Sequence, residues 1–143
     1  MINIFCYKLK IFRNSHLKSK PSMLKQILLI LLGVFFLLNG LNHFFNSKIL
    51  EEYAEKRSLL ASNLMIKLSG ILLCFGGITL ISGFYLLYGI IGLCLFLMIA
   101  SVTIHKFWAV KNREVMMLES MHFAKNWAII FELLYIGDSL LEV

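Results

Sequence analysis

The chain has 143 residues, 59% of them hydrophobic and only 15% charged, with a mean hydropathy of +0.82. A soluble domain usually carries about 25% charged residues, and one of roughly 150 residues hides only about 70% of its surface, so a water-soluble globule is excluded. The net charge of +6 marks no nucleic-acid surface: Lys8, Lys10, Arg13, Lys18 and Lys20 face no acid within residues 1–22, whereas residues 23–143 set nine Lys or Arg against eight Asp or Glu.

The basic tail at 1–22 reads in two ways. It is an unstructured extension that anionic headgroups attract, at about 1 kcal/mol per Lys or Arg, or it is translated from an upstream codon with Met23 as the start. A membrane helix needs about 20 mostly apolar residues, and 26–45 is the first such run. No Ala precedes Ala54, so a signal-peptide cleavage site of the A-x-A type is missing and the run reads as a retained span.

Residues 64–82 and 86–104 form the second and third spans, joined at Gly83-Phe84-Tyr85, where Gly supplies the turn. Gly70, Gly76 and Gly77 in one, with Gly89 and Gly92 in the other, predict close approach of these two helices. The fourth run, 123–141, is less apolar because it holds Asn126, Glu132 and Asp138. Ser47–Ser58 places Ile49, Leu50, Tyr53 and Ala54 on one stripe, and 111–121 carries Val115, Leu118 and Met121 at similar spacing. Both connections read as amphipathic helices lying in the membrane interface. The expected fold is an all-α, up-down-up-down four-helix transmembrane bundle, with both termini on one side. Lys and Arg are nearly balanced between the two sides, six against eight, so the positive-inside rule leaves orientation open.

This order of helices gathers polar residues at one depth. Span one ends with Asn39, Asn42, His43 and Asn46, at i, i+3, i+4 and i+7. Span three ends with Ser101, His105 and Trp108, and span four opens with His122, Lys125 and Asn126. Three readings stand open. The group is an interfacial hydrogen-bond network that holds helix ends together. It is a pocket for a small polar headgroup such as a quinone ring, with Phe107 and Trp108 flanking it. Or the three histidines form a zinc or iron site.

Glu132 lies roughly 13 Å into span four at 1.5 Å per residue. An ionised carboxylate at mid-bilayer costs about 2.5–3.5 kcal/mol, so it is expected to face the bundle, either as a packed neutral acid or as a proton-relay group. The three cysteines suggest no disulfide framework. Cys74 and Cys94 are each ten residues from Phe84, as a transmembrane dithiol or as two small packed hydrophobes. No phosphate-binding loop, C-x-x-C or G-x-S-x-G occurs.

Residues Asn39-Gly40-Leu41-Asn42-His43-Phe44, Gly70 with Gly76-Gly77, His105-Lys106-Phe107-Trp108 and His122-Phe123-Ala124-Lys125-Asn126 stand in order along the four runs. In this the chain from Met23 to about Leu141 resembles the DoxX family of small four-span bacterial membrane proteins. The resemblance implies a multi-pass protein of the bacterial inner membrane, linked to redox chemistry of thiosulfate and quinone or to thiol and oxidative stress. Lipid and membrane or redox proteins are the implied partners. One departure is plain: the family often has an acid three positions after the first span-two glycine, and here Leu73 stands there. A non-catalytic assembly or chaperone-like subunit and a small-solute carrier are the other functions this pattern admits.

Overall fold

A computed structural model describes residues 23–57 and 62–141. The basic tail at 1–22 lies outside the described residues, as do 58–61 and 142–143. The only proline is Pro21, so nothing after it breaks a helix by ring geometry. The described chain is all-α. Its elements are α1 (Met23–Phe45), α2 (Ser47–Lys56), α3 (Ser62–Ser82), α4 (Leu86–Thr103), a short 3-10 turn (Phe107–Ala109) and α5 (Arg113–Leu141).

Three stretches are long and apolar enough to cross a membrane: Met23–Phe45, Ser62–Ser82 and Leu86–Ala109. They match the first three expected spans to within a few residues. The second amphipathic stretch is helical as expected, yet it is no separate element. It forms the first turns of α5, which runs unbroken for 29 residues, about 43 Å at 1.5 Å per residue. No Pro or Gly stands between Arg113 and Ile136, so nothing there ends a helix.

Helices α1 and α3 form the most extensive helix pair, α4 pairs with both α3 and α5, and α2 lies mainly on α3. The chain turns from α3 to α4 through Gly83 at φ 75° and Tyr85 at φ 54°. Near the opposite end of α5, Lys25 Nζ donates to Ser139 Oγ at 3.0 Å. That contact brings the start of α1 beside the end of α5, so the two run antiparallel. Phe36, Leu73, Leu80, Ile90, Leu93, Leu97, Ile130 and Leu133 fill the core between the four long helices. Outward, α1, α3 and α4 show Leu31, Leu38, Ile71, Ile78, Ile91 and Leu95. Such faces suit a lipid bilayer, and this is an integral membrane protein.

The glycines divide their work differently from the expectation. Gly76 and Gly89 do sit in the α3–α4 seam, against Leu93 and Thr79. Gly77 instead meets α1, where a Cβ would come within 2.7 Å of the Gly33 carbonyl oxygen. Gly70 likewise faces His43 and Phe44 of α1. The closest backbone approach is thus between α1 and α3. Cys74 and Cys94 are free thiols. Cys74 packs over Gly40 and Cys94 joins the core, so each fills space as a small hydrophobe.

Candidate functional site

The polar residues at the loop end sort into a cavity, a buried ion-pair network and an outer aromatic group. The sorting follows from helix phase. On α5 the inward stripe runs Glu119, Asn126, Ile130, Leu133, with each of these side chains buried, at steps of seven, four and three residues. Asn39 and His43 share a face of α1 one turn apart. Asn42 lies off that face, exposed, and accepts a hydrogen bond from Asn46.

The cavity has a volume of about 150 Å³. An enclosed apolar cavity of that size holds one benzene ring; this one is partly open, with exposed Asn39 and Lys125 in its lining, and has room for at least a single ring. Five of the expected site residues line it: Asn39, His43, His105, Lys125 and Asn126. Its apolar wall comes from Phe35, Phe36 and Phe96, with Leu73 at the position where an acid was noted as absent. Phe107 and Trp108, expected to flank a ligand, are elsewhere. Trp108 is 58% exposed and meets Phe107 and Phe123 edge-on at 5.1 and 6.0 Å, as an interfacial aromatic group does.

Asn126 is 5% exposed and makes no hydrogen bond with any described residue. Its amide atoms are not sealed off and the residue borders the cavity, so a ligand there can reach them. Its neighbours are already engaged. Asn39 Nδ2 donates to the Phe35 carbonyl at 2.7 Å. His43 Nδ1 lies 2.6 Å from Ser69 Oγ and 3.3 Å from the Ile66 carbonyl, while the Ser69 hydroxyl donates to Ile66 O at 2.7 Å.

Behind His105 stands Glu119, with a side chain only 2% exposed. It accepts hydrogen bonds from the Tyr53 hydroxyl and the Arg57 guanidinium on one oxygen and lies 2.8 Å from His105 Nδ1 on the other. Burial pushes the Glu119 carboxyl up, but the hydrogen bonds from Tyr53 and His105 and the charge of Arg57 outweigh it and hold it below the usual carboxylate range. Burial, then the bond to Glu119, pushes the Tyr53 phenol up, so it stays a donor. His122 does not line the cavity. It stacks on His105 with centroids 5.1 Å apart and 28° between planes. Burial, with Lys125 and His105 nearby, lowers its pKa, which favours the neutral ring.

This network escaped the sequence reading, which placed Tyr53 and Glu119 on interfacial stretches. A signal was present: Glu119 precedes Asn126 by seven residues and His122 by three, so it shares their face. The converse holds for Glu132. The structure leaves it exposed on α5 rather than turned into the bundle, because the inward phase passes through Ile130 and Leu133. The acid that the bundle encloses is Glu119. A three-histidine metal site gains no geometry: no cluster of three or more His, Cys, Asp or Glu suited to a metal occurs among the described residues.

No curated protein and no solved structure shows a significant match to this sequence. The DoxX family model matches residues 25–106, which covers α1 to α4 and ends at Lys106, before α5. With more than half the chain matched, three apolar spans and an all-α bundle, this protein belongs to the DoxX family.

Proposed function

We propose that this DoxX protein crosses the bacterial inner membrane four times and binds a small planar polar ligand, such as a quinone ring, in the loop-end cavity, in the service of redox or stress homeostasis. The observation that carries the reading is Asn126, a buried amide with no partner among the described residues, bordering a space of one ring's volume. Phe35, Phe36 and Phe96 supply apolar wall, while Asn39, His43, His105 and Lys125 supply polar contacts. Ligand sites are built in this way, with a few placed polar groups in an apolar lining. Support for the fourth crossing comes from the Lys25–Ser139 contact, which carries α5 as deep as the start of α1.

Purification in mild detergent followed by mass analysis of bound quinone, lipid and metal tests this. A ring compound in near-stoichiometric amount, depleted in Asn126→Leu, is the expected result. Equal content in wild type and variant would remove the cavity from the account.

A second reading, that of a non-catalytic assembly subunit, is favoured by Glu132. An acid exposed on the flank of a spanning helix is costly against lipid, and a partner helix would relieve that. Copurification of a membrane protein that is lost with Glu132→Leu would support it.

A further inference from the structure

We infer that the cavity selects a ligand that donates hydrogen bonds, an aromatic diol over the corresponding dione, because Glu119 and Ser69 fix both wall histidines with Nε2 as an acceptor. This rests on the cavity being the ligand site and adds which chemical form it takes. It also makes Glu119 a positioning residue that acts through His105.

The selectivity is set by which atom carries each proton. Glu119 is ionised, since its hydrogen bonds from Tyr53 and His105 and the Arg57 charge overcome the opposing effect of burial. An ionised carboxylate only accepts. His105 Nδ1, 2.8 Å from Glu119 Oε2, therefore bears the hydrogen, and in the neutral ring Nε2 is left with a lone pair. At His43 the result is the same by another route. Ser69 Oγ lies 2.7 Å from the Ile66 carbonyl, which can only accept; with its one hydrogen assigned there, Ser69 Oγ has only lone pairs for His43. Both atoms near His43 Nδ1 are thus acceptors, Nδ1 carries the hydrogen, and Nε2 is again an acceptor. Asn39 gives one amide hydrogen to Phe35 O and keeps both an acceptor oxygen and a second hydrogen, so it favours neither form.

Against these stand Lys125, exposed at the rim, and the two-sided amide of Asn126. A dione would set its oxygen lone pairs against those of two imidazoles. A diol would donate to both, while its oxygens still accept from Asn126 or Lys125. Each unmatched buried polar group forfeits enough to change affinity by about tenfold or more.

The test uses the full-length protein in detergent at pH 8, above the ordinary imidazole value of about 6.5. Durohydroquinone and duroquinone are titrated anaerobically, and 15N NMR of labelled histidine reads the tautomers. The expected wild-type result is at least about tenfold tighter binding of the hydroquinone, with Nδ1–H on His105. In Glu119→Gln, Tyr53 and Arg57 hold the amide oxygen and the amide nitrogen faces His105. The ring must then move its hydrogen to Nε2, and the preference should fall by about tenfold in a protein that still folds. A dione bound as tightly as the diol would overturn the inference and leave the cavity as a ligand site. If neither form binds, the ligand reading fails and the selectivity with it. Nε2–H on wild-type His105 would overturn the inference whatever binds, and that measurement does not depend on the variant folding.

Discussion

Glu119 concentrates more interactions than any other side chain at the loop end, and it does so out of contact with water. Replacing it with Ala strands the Arg57 charge, 16% exposed, and removes a partner from both Tyr53 and His105. Breaking a buried pair from one side costs about 3–5 kcal/mol. Glu119→Ala should therefore lower thermal stability in detergent sharply, and Tyr53→Phe, which removes one neutral donor, by only about 1 kcal/mol. Acid should weaken the same region. Glu119 has its folded pKa below the unfolded one, so the network contributes fully above about 4.5 and is lost as the pH falls through the depressed value. The folded pKa of His122 is also lowered, so the unfolded chain takes up that proton first, and stability declines as the pH drops below about 6.5. Melting temperatures measured from pH 8 to about pH 2 should fall in both windows. His122→Asn should flatten the upper one and leave the lower, and a flat profile in wild type would contradict both assignments.

At the scale of elements, steric fit between α1 and α3 decides more than helix propensity. A Cβ on Gly33 would lie 2.7 Å from the Gly77 carbonyl oxygen, and backbone cannot move aside as a side-chain tip can. On Gly137 a Cβ would meet Ile90 at 3.6 Å, ordinary contact. Gly33→Ala should destabilise by about 1–3 kcal/mol through overpacking, while Gly137→Ala should be neutral or gain up to about 1 kcal/mol from helix propensity. Thermal unfolding of the two variants side by side checks this, and equal melting would remove the seam from the account. The three apolar spans were legible in the sequence because length and hydropathy alone define them. The partition of the glycines was not, since a glycine-rich face does not say which neighbour it meets. Asn39, His43, His105, Lys125 and Asn126 were legible as one group because spans of similar length bring their ends to one level. Tyr53, Arg57 and Glu119 were missed because a charged, amphipathic stretch reads as surface until the phase of the whole 29-residue helix is known.

For the whole molecule, the question that sequence hydropathy leaves open is whether α5 crosses the membrane. Its polar residues keep it outside the three stretches that qualify on apolarity, and the family match ends before it. Two structural facts argue for a crossing. Ile130 and Leu133 of α5 belong to the same core as Phe36, Leu80 and Leu93, so the helix cannot leave without exposing that core. Ser139 also reaches Lys25, so α5 returns the chain to the level at which α1 begins. A helix of about 43 Å exceeds the roughly 30 Å hydrocarbon thickness, so a crossing that begins near Phe123 would leave Arg113, Glu114 and Glu119 at or beyond the interface. An even number of crossings puts both ends of the chain on one side. Reporters fused at the C-terminus and inserted at Lys111 or Asn112 should therefore fall in opposite compartments, and a reporter at the N-terminus should agree with the C-terminal one. If the Lys111 and C-terminal reporters share a compartment, α5 lies along the surface. The cavity would then have no membrane-embedded fourth wall, and its single-ring ligand would have to enter from water.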